Sequence, residues 1–376
     1  EILRCLVGSE MCIRDRKYVV VGAGLAGLTI AERIASQLNE KVLIIEKRPH
    51  IGGNVYDSYN NDGILIQNYG PHTFHTNDDE VFNYVLQFCE WHQYQHRVLS
   101  YVDGNWVPMP IGLETINKLY NMNLSETELM DFIESKKEKI EDVKNSEDVV
   151  LSKAGRDIYE KFFKYFTYKQ WGVYPSELDA SVISRIPFRT NRDTRYFTDQ
   201  HQGNPKGGFT RMCERMVAHP NIRIMLNTDY KEIIDQIEYN KMIYTGPIDY
   251  YFNYKLGKLL YRSIRFEFET LDMESYQPTA SSRYPMDHEY TRITEFKKMY
   301  GQKHPKTTIC KEYPCFGNEP YYTYPTQEWK DLANKYRALA ALESNVVFLG
   351  RLAEYKYYDM DDVIRRALNV FEECIK

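Results

Sequence analysis

The run Val19-Val20-Val21 is unbroken apolar and ends at Gly22. Apolar positions then recur at helical spacing over 28–38, and a second apolar run, Val42–Ile45, ends in Glu46. Strand, helix and strand in that order predict a βαβ unit. From Ile111 to about Arg185 the texture is helical. Ser125 and Glu128 form an S-x-x-E capping box ahead of Leu129, Phe132 and Ile133, and the mixed-charge stretch 134–148 reads as a solvated helix face and loop. Ile158, Phe162 and Phe166 fall at helical spacing with Phe163 alongside, a stripe that core packing explains. The sequel Thr167-Tyr168-Lys169-Gln170-Trp171-Gly172 is expected to break that helix.

Gly207-Gly208-Phe209 opens a further helix, and Ile222, Ile224 and Leu226 alternate as a strand that returns to the first unit. Beyond Tyr244 the pattern turns to strands. Arg262, Ile264, Phe266 and Phe268 alternate against Tyr261, Ser263 and Arg265, and Arg292 lies in a strand-like run over 290–296. A second, antiparallel sheet is expected there. Val346 to Leu349 is a buried strand ending in Gly350, followed by a helix from Met360.

The chain has 376 residues, 43% hydrophobic and 27% charged, which fits two or three globular domains. No apolar run reaches the roughly 18 residues of a membrane span, so no membrane insertion is expected. A net charge of −5 gives no electrostatic footprint for nucleic acid. Seven cysteines without a C-x-x-C pair read as reduced thiols, consistent with a cytoplasmic protein. Residues 1–16 have mixed charge and no apolar centre; they are not a secretory signal and are excluded from the fold as a leader or tail. The 32 tyrosines supply flat apolar rings with polar tips, useful for sugars, bases and phosphates.

The turn Gly22-Ala23-Gly24-Leu25-Ala26-Gly27 between strand and helix is a dinucleotide signature. The first glycine makes the turn, the second bares amides to a pyrophosphate, and the third lets helix and strand close up. Glu46, roughly 20 residues on, is placed to bind a ribose hydroxyl. Lys47 to Asn54, with Gly52 and Gly53, forms a second loop facing the cofactor. His72 and His75 lie three apart beside a Gly-Pro turn without a third metal ligand, so no metal site is expected. They satisfy loop hydrogen bonds or line the face of a cofactor ring.

Arg185, Arg189, Arg192 and Arg195 cluster beside Tyr196 and Phe197. Such a run is either a solvated basic loop or the bidentate donors and ring face that a nucleotide diphosphate needs; the second reading is favoured. Pro320-Tyr321-Tyr322-Thr323-Tyr324-Pro325 is a rigid tyrosine-rich turn. Near the C-terminus, a helix beginning beside Asp359 and Met360 offers amides to a second part of a dinucleotide.

Taken together, GAGLAGL, IIEKRPHIGGN, YGPHTFHT, FFKYFTYKQWG, SRIPFRTNRDTRYF, YTGPIDYYF, LLYRSIRFE, TRITEFK, PYY and GRLAEYKYYDMD resemble the bacterial UDP-galactopyranose mutase family over nearly the whole chain from Lys17. The resemblance implies an α/β fold: a Rossmann-like FAD-binding domain of discontinuous segments (17–80, 205–245 and 341–376), a helical domain with a mobile substrate loop (110–185), and a twisted antiparallel sheet domain (85–109, 186–204 and 246–340). It assigns Gly22, Gly24, Gly27, Glu46, Lys47, Gly53, Asn54, His72, Arg351, Asp359 and Met360 to FAD. His72 and His75 would lie near the isoalloxazine. Phe162, Phe163, Phe166, Thr167, Trp171, Tyr196, Arg262, Tyr322 and Tyr357 would meet the substrate. Arg185, Arg292 and His75 are the expected catalytic residues, Arg185 swinging in on its loop.

This chain departs from the family pattern F-F-x-G-Y-T at Tyr165 and Phe166, and from PYYP at PYYTYP. Phe166 keeps the ring face for stacking on uracil without the hydroxyl, and either Tyr321 or Tyr322 meets the diphosphate. The implied reaction interconverts UDP-galactopyranose and UDP-galactofuranose through a covalent adduct at N5 of reduced FAD, with no net redox change. The implied partners are the UDP-galactose forms, an external reductant for the flavin and a second copy of the chain. Two alternatives are an amine-oxidase-like FAD oxidoreductase and a flavin-free binding module of the GDP-dissociation-inhibitor type.

Overall fold

The computed structural model describes residues 17–184, 187–317 and 319–376; the segment 1–16 and the expected catalytic Arg185 lie outside them. Strands Tyr18–Val21 and Val42–Ile45 are buried at every position, as strands covered on both faces must be. They are the centre of a parallel five-stranded sheet. Its spatial order is Ile222–Met225, Val42–Ile45, Tyr18–Val21, Lys241–Tyr244 and Val346–Phe348. Three widely separated stretches of chain therefore share one sheet. One face packs under helices Leu25–Leu38 and Met360–Val370, which contribute Leu28, Ile34, Ile364 and Ala367 to the core. The other face is covered by Tyr230, Ile237 and Ala353. The first helix starts three residues earlier than its apolar period indicated, because Gly24 is its N-cap.

A seven-stranded sheet runs in the order Tyr322–Thr323, Tyr261–Leu271, Thr307–Cys315, Arg292–Glu295, Ser281–Arg283, Val98–Val102 and Asn105–Met109. It is antiparallel except where Ser281–Arg283 lies parallel to Val98–Val102. That pairing departs from the all-antiparallel expectation. The two strands are far apart in sequence, so no hairpin dictates their direction. A smaller sheet, Phe74–Thr76, His201–Pro205 and Trp91–Gln93, links the two larger ones.

The helical region holds Leu113–Tyr120, Glu126–Lys136 and Ser146–Ala154. The capping box forms: Ser125 N–H donates to Glu128 Oε2 at 2.8 Å, and Glu128 N–H to Ser125 Oγ at 3.3 Å. Tyr159–Lys164 is a π-helical turn that passes into the α-helix Tyr165–Trp171. The helix thus continues through Thr167–Trp171, where a break was expected, and stops at Gly172, whose φ of +80° makes a left-handed C-terminal cap. None of the five described cysteines is in a disulfide, and no helix among the described residues is long and apolar enough to cross a membrane.

Candidate functional site

A cavity of about 650 Å³ runs along the ends of the parallel strands, within the roughly 300–1,000 Å³ of ligand sites. Its lining joins distant parts of the chain: Gly22 and Gly24 from the first turn, Gly53 and Asn54 from the second loop, Arg351 from the turn after strand Val346–Phe348, and Met360 from the start of the helix Met360–Val370. The turns have no room for side chains. A Cβ on Gly27 would sit 2.0 Å from the Gly22 carbonyl oxygen, and one on Gly53 would sit 2.9 Å from the Gly24 Cα. Glycine at these points leaves a backbone cradle at a helix N-terminus, the geometry that receives a pyrophosphate. Glu46 closes one side of it, with Oε2 accepting from Ala23 N–H and Oε1 from Arg48 N–H, both at 2.8 Å. Each oxygen keeps a lone pair for a ribose hydroxyl. Lys47 also lines the cavity. At the far end Asp359 caps helix Met360–Val370 and accepts from the Tyr357 hydroxyl at 2.8 Å. The residues present fit a dinucleotide with its pyrophosphate at the first turn.

The two histidines separate. His72 lines the cavity, and its Nδ1 lies 2.9 Å from the Gly70 carbonyl, so that nitrogen carries the proton and donates. Burial, with Arg351 and Arg292 nearby, pulls its pKa down to about 4. The ring is neutral near pH 7, with Nε2 left as an acceptor. His75 does not line the cavity. It lies in strand Phe74–Thr76, where Phe74 turns into the core, so the period of two sends His75 to the other face. There it stacks on Phe197 at 3.7 Å, with Nδ1 3.2 Å from Asp199 Oδ2. Of the two histidines expected near one ring, His72 is the one that lines the cavity.

Beyond His72 the large sheet, with Arg292 and Tyr322, and the segment after strand Val346–Phe348, with Arg351 and Tyr357, supply an arginine and tyrosine cluster. Arg351 donates to the carbonyls of Tyr321 at 3.2 Å and Tyr358 at 2.7 Å, with its guanidinium 5.1 Å from the Tyr357 ring and 5.8 Å from the Tyr322 ring. Arg292 leaves 29% of its side chain exposed, and its Nε is 3.7 Å from Glu312 Oε1. Burial works against its charge, but Glu312, Tyr322, Tyr196 and Tyr357 outweigh this and hold its pKa above the ordinary value. Tyr322, rather than Tyr321, belongs to this cluster. Tyr322 lies 6.3 Å from the Tyr357 ring, whereas Tyr321 is buried against Phe266 and Tyr69.

The facing wall is helix Tyr165–Trp171. Phe166 is half-buried, and Trp171 meets Tyr322 and Tyr324 edge-on at 6.4 and 6.1 Å. Thr167 is buried in the helix. Phe162 and Phe163, expected as substrate contacts, are buried in the core of the helical region with Ile158 and Tyr159. Two clasps fix this helix to the sheet. Arg262 donates from Nε to the Gln170 carbonyl at 2.8 Å and from Nη2 to the Lys169 carbonyl at 3.0 Å, with its guanidinium 4.3 Å over Phe316. In return, Lys169 Nζ donates to the carbonyls of Tyr284, His288 and Tyr290 at 2.5, 2.8 and 3.4 Å. Burial pulls the Lys169 pKa down to about 8. Arg262, expected as a substrate contact, thus caps carbonyls at the end of the helix.

Among the described residues of the arginine run, Arg189, Arg192 and Arg195 do not line the cavity. Arg189 gathers the carbonyls of Asp193, Arg195 and Tyr196. Arg195 pairs with Asp193, and Arg192 with Glu114. The loop closes on itself and delivers Tyr196, whose N–H donates to the His96 carbonyl at 2.7 Å. What meets Tyr196 is Arg283, which sequence reading missed: it donates to the Tyr196 hydroxyl and lies 5.1 Å over the Phe166 ring.

A family model described as UDP-galactopyranose mutase matches residues 161–357, and one described as NAD(P)-binding Rossmann-like domain matches residues 20–88. A probable UDP-galactopyranose mutase of Klebsiella pneumoniae is 39% identical over 370 residues, 96% of each chain. A dTDP-fucopyranose mutase of Escherichia coli is 36% identical over 372 residues, 96% of this chain and 98% of that one. The crystal structure of a reduced UDP-galactopyranose mutase matches with a TM-score of 0.74 at 16% identity, over 95% of this chain and 93% of the other, a likeness of fold. With its discontinuous parallel sheet, its dinucleotide cradle and this similarity along nearly its whole length, the chain belongs to the UDP-galactopyranose mutase family.

Proposed function

We propose that this protein interconverts the pyranose and furanose forms of a nucleoside-diphosphate sugar, UDP-galactose, with FAD as its cofactor. The observation that carries the reading is the continuity of two sites. A dinucleotide cavity ends at neutral His72, and immediately beyond it Arg292 and Arg351 stand among Tyr196, Tyr322 and Tyr357. When bound and reduced, FAD supplies the nucleophile for the anomeric carbon.

The chain's own residues position the substrate and stabilise charge. Arg292 faces the developing charge of the departing nucleoside diphosphate, where a fixed guanidinium is worth most. Tyr322 and Tyr357 flank Arg351 and help to hold Arg292 charged for the diphosphate, and Phe166 offers a ring face to the base. Trp171 walls the sugar from water. His72, neutral with Nδ1–H held by Gly70, presents Nε2 as an acceptor without adding a charge that would compete for the diphosphate.

The test is incubation of dithionite-reduced protein with UDP-galactofuranose, followed by chromatography for UDP-galactopyranose. Conversion without stoichiometric use of dithionite is expected; no conversion, or conversion only by oxidised protein, overturns the reading. The Escherichia coli relative favours a second substrate, dTDP-fucose, and a parallel incubation with dTDP-fucofuranose decides between them by kcat/KM. Light scattering reads the proposed homodimer.

A further inference from the structure

One row of direct cross-strand partners in the large sheet reads Ser100, Arg283, Arg292, Glu312, Phe266. Directly opposed residues share a sheet face, so two guanidinium groups and one carboxyl stand together. Like charges directly opposite are destabilising, so setting Arg283 against Arg292 works against the stability of the sheet itself. Glu312 offsets one of the two. Its Oε1 lies 3.7 Å from Arg292 Nε and has no hydrogen-bond partner, and burial pushes its carboxyl up against the pull of both arginines. Among the described residues no carboxylate pairs with Arg283. Its contacts are the Tyr196 hydroxyl and the ring faces of Phe166 and Tyr196, at 5.1 and 5.2 Å. His96 beside the row is held neutral by burial and by the two arginines. The row therefore keeps an excess positive charge beside Phe166 and Tyr196, and charges held away from bulk water are paired.

We infer that Arg283 and Arg292 form a fixed two-arginine clamp for the diphosphate of the bound nucleotide, with Phe166 and Tyr196 holding Arg283 ready. The inference rests on the nucleotide-sugar reading above. A diphosphate diester carries two negative charges, and two guanidinium groups on adjacent strands match it with bidentate donors. Arg283 is a lone arginine in sequence, and only strand pairing sets it opposite Arg292.

The experiment measures binding of UDP, uridine and inorganic pyrophosphate to the flavin-loaded protein and to Arg283→Met and Arg283→Lys, by calorimetry. Arg283→Met is expected to weaken UDP and pyrophosphate about tenfold to a hundredfold and to leave uridine within about twofold. Arg283→Lys is expected to fall between. UDP binding unchanged in Arg283→Met, or UDP and uridine weakened in the same proportion, overturns the clamp and leaves Arg283 a packing residue. If Arg283→Met does not fold, Arg283→Lys binding UDP and pyrophosphate as the parent does overturns it equally. Pyrophosphate separates the two readings: its binding to the parent and loss in the variants upholds the clamp even if the mutase assay fails. Mutase activity with unchanged pyrophosphate binding overturns the clamp alone.

Discussion

Replacing Lys169 by methionine tests how the aromatic helix is held against the arginine-bearing sheet. The ammonium of Lys169 reaches the carbonyls of Tyr284, His288 and Tyr290, which lie in the connection between Arg283 and Arg292. Its pKa falls from 10.5 to about 8, a penalty on the charged form of at most about 3 kcal/mol. Methionine keeps the apolar stem, relieves that penalty and removes the charge-assisted bonds, each worth roughly 1.5–3 kcal/mol. The net loss at pH 7 is roughly 1–6 kcal/mol. The sign of its pH dependence is the sharper measurement. Between pH 8 and 10.5 the unfolded chain holds the Lys169 proton while the folded chain releases it, so this group makes stability rise with pH across that window. The stability gap between parent and Lys169→Met should therefore be constant below pH 8 and widen above it by up to about 3 kcal/mol. Urea unfolding of both holoproteins from pH 7 to 10.5 reads the gap, and taking the difference cancels the tyrosines that titrate in both. A gap that narrows as pH rises would refute the reasoning, because it would mean that the folded state favours the ammonium.

Three further outcomes are expected. Arg292→Ala should lower turnover by about 2.7–4 kcal/mol of transition-state stabilisation, roughly a hundredfold to a thousandfold, while purified protein keeps its flavin absorbance; stopped assays with reduced protein check both. Gly27→Ala places a methyl 2.0 Å from the Gly22 carbonyl, so the helix must move off the strand. Flavin content per chain, read by absorbance, should fall several-fold. Asp57 accepts from Phe209 N–H at 2.7 Å, Thr210 N–H at 2.9 Å and the Tyr300 hydroxyl at 3.2 Å, holding the start of helix Phe209–Met216. Asp57→Asn turns one acceptor toward a buried donor as an NH2 group and should cost about 1–3 kcal/mol in urea unfolding.

The cofactor half of the site was legible in the sequence because its signals are local. Gly22 to Gly27 and Glu46 belong to one βαβ unit, and Asp359 and Met360 start one helix, so spacing along the chain is close to spacing in space. The anion half was less legible. Arg189, Arg192 and Arg195 cluster in sequence, yet they serve the loop's own carbonyls and carboxylates. Arg283 faces Arg292 only because their two short strands pair as a hairpin, and the strand at Ser281–Arg283 has no apolar alternation to announce it. The aromatic stripe divided in the same way. Phe162, inside the π turn, is buried in the core, whereas Phe166, in the α-helix that follows, is half-buried under Arg283.

The order of strands in the parallel sheet governs when a cofactor can be taken up. The first turn leaves the ribosome early, but the strand Val346–Phe348 and the helix at Met360 that complete the same cavity come more than three hundred residues later. Until that last stretch docks, the cradle lacks its far wall, and closing so long a loop carries an entropic cost that only long-range contacts repay. Uptake of the dinucleotide is accordingly a late event in biogenesis. Once bound, it acts as a non-covalent cross-link between the two ends of the polypeptide, adding to the free energy of unfolding as its concentration exceeds its dissociation constant.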